Sequence, residues 1–274
     1  GTKAGLAPLH NWLPDAHSQA PTPVSAMFSG FLLNSSLYCI LRYLPLVEAA
    51  TGNTGWARSV LVLFGLVSIL VAAAFLLAQS DLKRFLAYSS VEHIGIITLG
   101  AGLGGLGVFA ALLHVLNHSL GKTTAFFCAG RLGQDRGSHN MRQLREAVRA
   151  SPLWGGGLIA ALMALIGMAP FAPFLSELLI CKAAVDAGAY ATLALFLFGV
   201  GVVFVGALRQ VIAMAWEPAA TVPATSPAGA GSRALAILVV LAPLASLLLL
   251  GLWLPKPLGA VLLQAAQIVG GGAP

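Results

Sequence analysis

Apolar runs dominate the chain, broken at a few places by short polar or proline-containing stretches. The runs cover approximately 22–45, 57–79, 82–102, 104–131, 152–183, 188–215 and 233–254. A helix crosses the hydrocarbon core in about 20 residues, so this pattern predicts about seven crossings. The runs are continuous rather than alternating, which selects helices over strands, because hydrocarbon tolerates only spans whose backbone is internally bonded. The expected fold class is therefore an all-α polytopic membrane protein. Its bundle holds about seven transmembrane helices and a partial N-terminal helix, with two segments broken by proline.

Between the runs the chain turns polar or flexible. "LGQDRGSHNMRQLREAVRASP" reads as a connector holding a short amphipathic helix from Asn140 to Arg149, and "LGAGLGGLG" as a tight turn between two spans. "EPAATVPATSPAGAGSR" is rich in Pro, Ala, Gly and Ser, so residues 216–232 are expected to form a flexible loop. Residues 233–274 are expected to form a C-terminal transmembrane helix and tail. The first residues read as a helix already under way, and position 1 is Gly, so an upstream portion is expected.

Composition agrees with the pattern. Of 274 residues, 58% are hydrophobic and only 9% charged, against about 25% in a soluble domain. The net charge of +6 is explained by topology rather than by nucleic acid. Alternating crossings place Lys83, Arg84, Arg131, Arg136, Arg142, Arg145, Arg149, Arg209 and Arg233 on one side, with Arg42, Arg58 and Lys256 near the other. The first set marks the cytoplasmic face. Cys39, Cys128 and Cys181 are scattered through apolar runs without metal or pairing spacing, so no redox cofactor is expected.

Two breaks carry chemistry. "KAGLAPLHNWLPDA" and "ALIGMAPFAPFLSELLICK" place prolines at membrane depth, and the carbonyls they free must be buried in protein or face water. Discontinuous spans in repeated positions point to an ion path. Lys3 precedes the first break and Glu177 follows the second; both are read as buried functional groups. A charge at mid-bilayer costs on the order of 2.5–3.5 kcal/mol, so such residues are rare and face the bundle interior.

The densest cluster is "HVLNHSLGK", where His114, His118 and Lys122 recur every four residues. On a helix they share one face, roughly 6 Å apart per step, covering about 12 Å of depth. Histidine titrates near neutrality, and a desolvated lysine hands on its proton far more readily than a solvated one, so the line can pass protons. Asn117 and Ser119 flank it and could hold water. Two histidines at that offset can also share a zinc ion, but no glutamate adjoins the first, no third ligand is evident, and a lysine completes the line. A haem sandwich would need a histidine on a facing helix, and His93 is the one candidate. In "QSDLKRFLAYSSVEHIG", Lys83 stands at the cytoplasmic start of a span, while Glu92 and His93 lie more than two turns inside it. Those two neighbours point about 100° apart and need not share a partner.

These motifs closely resemble the antiporter-like membrane subunits of respiratory complex I, of multisubunit cation/proton antiporters and of membrane-bound hydrogenases. The resemblance rests on "PLHNWLPDAHSQAPTPVSAMFSGFLL", "DLKRFLAYSSVEHIG", "HVLNHSLGKTTAFFCAG" and "APFAPFLSE" in that order, and runs from residue 1 to about 215. The "SSVEHIG" form looks most like the hydrogenase-4 and formate hydrogenlyase branch. It implies two inverted repeats, each with a broken helix, and a chain of titratable groups and water across the midplane. By the same resemblance Lys3 matches the lysine of the first broken helix, Lys122 the central lysine, and His114 and His118 its relay histidines. Glu177 matches the outlet group and Lys83 the lysine of a "D-[IL]-K-R" motif. Ser29 and Asn34 stand where several relatives carry a lysine or histidine, so the relay there is bridged by water or is weaker. The family's glutamate partner for the first lysine lies upstream and is absent from this sequence.

The expectation is a proton-translocating subunit of a redox-driven complex, of hydrogenase-4/formate hydrogenlyase or NADH:quinone oxidoreductase type, in a prokaryotic cell membrane. The expected site is Lys3, Lys83, Glu92, His93, His114, His118, Lys122 and Glu177. The chain itself performs no redox chemistry, and its partners are the lipid bilayer, other membrane subunits and, indirectly, soluble redox subunits. The alternative is a Na⁺/H⁺ antiporter subunit without a redox partner; a membrane metalloenzyme or haem protein using His114 and His118 is the third reading.

Overall fold

A computed structural model describes residues 1–52, 54–145, 148, 151–218 and 233–270. Turns over residues 2–11 lead into α1 (Trp12–Gln19) and α2 (Thr22–Met27). A π-helical turn, Phe28–Leu32, then carries the chain directly into α3 (Leu33–Thr51). The remaining helices are α4 (Thr54–Leu76), α5 (Leu82–Leu103), α6 (Leu106–Arg136), α7 (Pro152–Leu165), α8 (Ala172–Asp186), α9 (Tyr190–Trp216), α10 (Arg233–Leu252) and α11 (Lys256–Val269). Among the described residues there is no strand, only an isolated bridge between Asp81 and Asn140.

Among the described residues, four helical stretches are long and apolar enough to cross a membrane: Thr22–Thr51, Gly55–Leu76, Tyr190–Trp216 and Arg233–Leu252. They surround a central pair, α5 and α6, whose composition is more polar because they face protein rather than lipid. In α5 every residue from Leu82 to Gly102 except Arg84 is buried. The two helices turn back on each other at Gly104 and Gly105, whose φ angles of 76° and 46° favour glycine. α4 packs along α5, α7 and α8 along α6, α9 against α4, and α10 against α6. The α4–α5 approach is set by glycine: a Cβ on Gly65 would lie 2.7 Å from the Leu99 nitrogen, and one on Gly95 would lie 2.8 Å from the Gly65 carbonyl.

Both proline breaks occur where expected, and each is held by protein on one side, with Pro8, Leu9, Ala169 and Pro170 exposed on the other. Pro170 disfavours helical backbone in the residue before it, and Pro173 sits in the first turn of α8, so 166–171 separates two helices rather than kinking one. Gly251 of α10 packs directly on the Pro170–Phe171 backbone. At the first break, the Ala7 N–H donates to Ser68 Oγ of α4 at 2.9 Å. The π turn has a local cause too. The Gly30 carbonyl accepts from Ser119 Oγ (2.8 Å) and Asn34 Nδ2 (3.1 Å), and a Cβ on Gly30 would lie 2.5 Å from Thr123 Oγ1.

Two expectations differ. Beyond α10 the chain forms a second helix, α11, after Pro255, rather than a tail, and α11 packs on α3 and α6. Residues 141–145 form turns and a bend and Val148 is helical, while the rest of the helix expected over Asn140 to Arg149 lies outside the described residues. Residues 219–232 of the expected loop and 271–274 of the expected tail also lie outside them.

Candidate functional site

The buried face of α6 carries the line read from the sequence. His114, His118 and Lys122 are each fully buried, and α5 presents Glu92 and His93 to the same interior. His93 Nδ1 and His114 Nε2 form a hydrogen bond of 2.8 Å, and the His93 and His118 ring centroids lie 5.3 Å apart. On its other side, His114 Nδ1 lies 2.8 Å from Ser176 Oγ of α8. Ser176 Oγ also accepts from Asn117 Nδ2 at 3.1 Å and donates to the Pro173 carbonyl at 2.9 Å. Pro173 has no N–H, but its carbonyl, in the first turn after the break, anchors the hydroxyl.

Lys122 Nζ donates to the Leu86 carbonyl at 2.9 Å, which pins α6 to α5 through the amine. Glu92 lies within electrostatic range of Lys122, and Glu177 within range of Glu92. Glu177 is buried on α8 beside Ser176, its carboxylate lying against Gly167, which has φ of 70° at the end of α7. Three helices therefore converge on one buried polar line. His93, His114 and Glu177 each bring one donor atom, and the three atoms lie within 4.8 Å of one another.

The other expected residues stand apart. Lys83 is buried at the start of α5, where its Nζ donates to the Ala20 carbonyl at 2.7 Å and so caps α1. Lys3 was expected to be buried and is instead exposed. Ala4 to Ala7 turn inward, and Lys3 lines an apolar groove of about 640 Å³ with Cys39, Tyr43 and Trp56. Burial there goes to the small residues that the turn can pack, not to the amine. Ser29 and Asn34 are bonded: Ser29 Oγ lies 2.8 Å from Ser90 Oγ, and Asn34 Nδ2 donates to Ser119 Oγ at 2.8 Å.

Sequence reasoning missed two members. His17, on α1, is fully buried, stacks on Phe126 at 4.8 Å, and lies within electrostatic range of Lys122, Lys83 and His118. Its signal is a second histidine, after His10, in the polar stretch that follows the first proline break. Ser176 was hidden because one serine in an apolar helix usually bonds its own backbone. Among the described residues, both ring nitrogens of His17 and His118, His93 Nε2 and Asn117 Oδ1 are buried without a protein partner. Buried polar atoms are nearly always satisfied, so these call for water. A haem sandwich on these histidines does not fit, because the 2.8 Å contact between His93 and His114 leaves no room for a porphyrin plane.

An all-helical bundle with two proline-broken segments around a buried His/Lys/Glu line defines an antiporter-like membrane subunit. The family model described as "NADH:quinone oxidoreductase/Mrp antiporter, TM" matches residues 1–204, and the chain belongs to that family. Among curated proteins it is 43% identical over 185 residues to the hydrogenase-4 component F homolog of Methylacidiphilum infernorum, covering 67% of this chain and 39% of that protein. It is 37% identical over 191 residues to the NADH-quinone oxidoreductase subunit N of Desulforudis audaxviator, covering 69% and 38%. Among solved structures, a chain of the membrane-bound sulfane sulfur reductase, an archaeal respiratory membrane complex, superposes with TM-score 0.85 at 29% identity over 98% of this chain and 54% of that one. A chain of the Mrp complex of Dietzia sp. DQ12-45-1b gives 0.83 at 25% identity over 98% and 57%. The chain thus spans about two-fifths of the length of these curated relatives.

Proposed function

We propose that this chain carries protons across a prokaryotic cell membrane as one subunit of a larger, redox-driven assembly of hydrogenase or complex I type. The observation that carries the reading is the unbroken contact Ser176–His114–His93 at 2.8 Å per step, continued toward His118 and Lys122. In the proposal, α5, α6 and the α7–α8 pair also cross the membrane, giving about seven crossings. At 1.5 Å per residue, the 22 residues of α5 and 31 of α6 reach about 33 and 46 Å, ample for a span.

The partners assign the protons. Ser176 has one hydrogen, given to the Pro173 carbonyl, so it accepts from Asn117 and from His114 Nδ1–H. His114 Nε2 is then a lone pair, and His93 Nδ1–H donates to it. His93 Nε2 is left as an acceptor facing no protein group, the point where water or His118 delivers the next proton. A proton entering there leaves from Nδ1 to His114 Nε2. His114 then gives its Nδ1 proton to the Ser176 hydroxyl as that hydroxyl turns its own hydrogen from the Pro173 carbonyl to water, and the rings reset by tautomer exchange. Lys122 and Glu92 set its bias. Two unit charges about 8 Å apart, at an effective dielectric of about 20, couple by about 2 kcal/mol, roughly 1.5 pKa units. A change of charge imposed by neighbouring subunits thereby loads or empties the line. Lys83 and Lys3 are assigned to its flanks, Lys83 through His17.

Partners are proposed to be other membrane subunits, with soluble redox subunits acting indirectly; the chain itself performs no redox step. Residues 1–215 form the translocating domain, and 233–270 add a further transmembrane helix, α10, packed on α6 and on the second break, followed by α11. The second reading, a Na⁺/H⁺ antiporter subunit, draws support from the likeness to the Mrp complex chain. Lys122→Met in the complete complex should abolish pumping while sparing electron transfer. Pumping at wild-type stoichiometry contradicts the proposal, and strict dependence on a sodium gradient without electron flow selects the second reading.

A further inference from the structure

We infer that His93, His114 and Glu177 form a zinc site at the junction of α5, α6 and α8. Their three donor atoms, all buried, lie within 4.8 Å of one another, and each comes from a different helix. Two imidazoles and one carboxylate with one water is a tetrahedral zinc donor set. Zinc–nitrogen bonds of about 2.0–2.1 Å at the tetrahedral angle hold two nitrogens about 3.3 Å apart. His93 Nδ1 and His114 Nε2, at 2.8 Å, need to part by only about half an ångström, a side-chain rotation.

The donor chemistry is already arranged. His114 Nε2 presents a lone pair, because its Nδ1–H is held by Ser176. That contact is the outer-shell hydrogen bond that orients a metal-bound imidazole. His93 frees Nδ1 by moving its proton to Nε2, which is unpartnered, and Glu177 binds as the carboxylate. No proton is lost from either ring. Gly167, lacking a side chain, is what lets the Glu177 carboxylate lie against it in this position. Lys122 lies eight residues from His114, about 12 Å along the helix, though its charge reaches His93, so the Glu177 carboxylate is what offsets a dication at this end.

The consequence rests on the proton-relay reading. A bound ion takes the lone pairs that pass the proton, so zinc should arrest translocation, and a chelator should restore it. The test uses the full-length protein in its complete membrane complex, stripped with EDTA and titrated with Zn²⁺. The readouts are equilibrium dialysis and zinc X-ray absorption. The wild type should hold one more zinc ion per complex than His93→Gln or Glu177→Gln, with a nitrogen/oxygen shell showing imidazole scattering. Each variant should bind at that site more than tenfold more weakly, and His139→Gln, in the connector, should bind as wild type. Glu177→Asp, which keeps the carboxylate, should regain part of the affinity and so excludes misfolding as the cause. Equal zinc affinity in wild type and both variants, or a sulfur shell, overturns the site. Zinc bound here with pumping unaffected leaves the site standing and overturns the relay.

Discussion

Replacing Lys122 with methionine separates the amine's chemistry from its packing. The side chain is fully buried, so alanine would leave a cavity worth about 2–5 kcal/mol and confuse loss of function with loss of fold. Methionine retains most of the stem volume, and such swaps usually cost less than about 1.5 kcal/mol. The hydrogen bond lost is the one from Nζ to the Leu86 carbonyl at 2.9 Å. That carbonyl also accepts from Ser90 Oγ at 3.0 Å, so it is not stranded when the amine goes. Stability should therefore barely change. Function should not survive, because the coupling of about 2 kcal/mol that lets one charge load the line disappears, a factor of about 30 in a protonation equilibrium. The assay is the complete complex in sealed proteoliposomes, with protons moved per electron read from a pH-sensitive dye and electron transfer followed separately. The expected result for Lys122→Met is normal assembly, normal electron transfer and at least a tenfold fall in protons per electron. Wild-type stoichiometry in a correctly assembled complex would refute the reasoning.

Other outcomes follow from the same geometry. His114→Leu strands His93 Nδ1, at about 1–3 kcal/mol, while Ser176 Oγ keeps Asn117 and the Pro173 carbonyl, so thermal unfolding should shift down and pumping should stop. Ser176→Ala should slow proton delivery with electron transfer intact, and Ser176→Thr should restore it, because the hydroxyl is what fixes the His114 tautomer. Gly65→Val drives a side chain against the Leu99 backbone nitrogen and should cost about 1–3 kcal/mol or more, read as a lower melting temperature and poor assembly. In the connector, burial and then nearby Lys83 hold His139 below its ordinary value of 6.5, with Asp81 opposing. The unfolded histidine takes up a proton before the folded one, so stability is full above that value and declines as the pH falls below it. Amide exchange at Leu82 and Met141, whose N–H groups bond across this turn at 2.8 Å, should quicken below pH 6.5 after correction for intrinsic rates. His139→Phe should remove that acid-dependent part.

Much of this protein is written in one dimension. Continuous apolar runs fix helices, since hydrocarbon admits no unbonded backbone, and the prolines at 8, 170 and 173 fix where two of them break. The i, i+4 spacing of His114, His118 and Lys122 fixes a shared face before any packing is known. Packing across helices decided the rest. That His93 rather than Glu92 meets His114 depends on the rotation of α5, which Gly65 and Gly95 set by letting α4 come close. Ser176 and His17 gain their roles only when α8 and α1 dock beside α6, and Lys3 is exposed because the inward places went to Ala4, Leu6 and Ala7. Periodicity along one helix follows from backbone geometry alone, whereas which groups touch between helices depends on side-chain volumes from distant parts of the chain, and no local pattern encodes those.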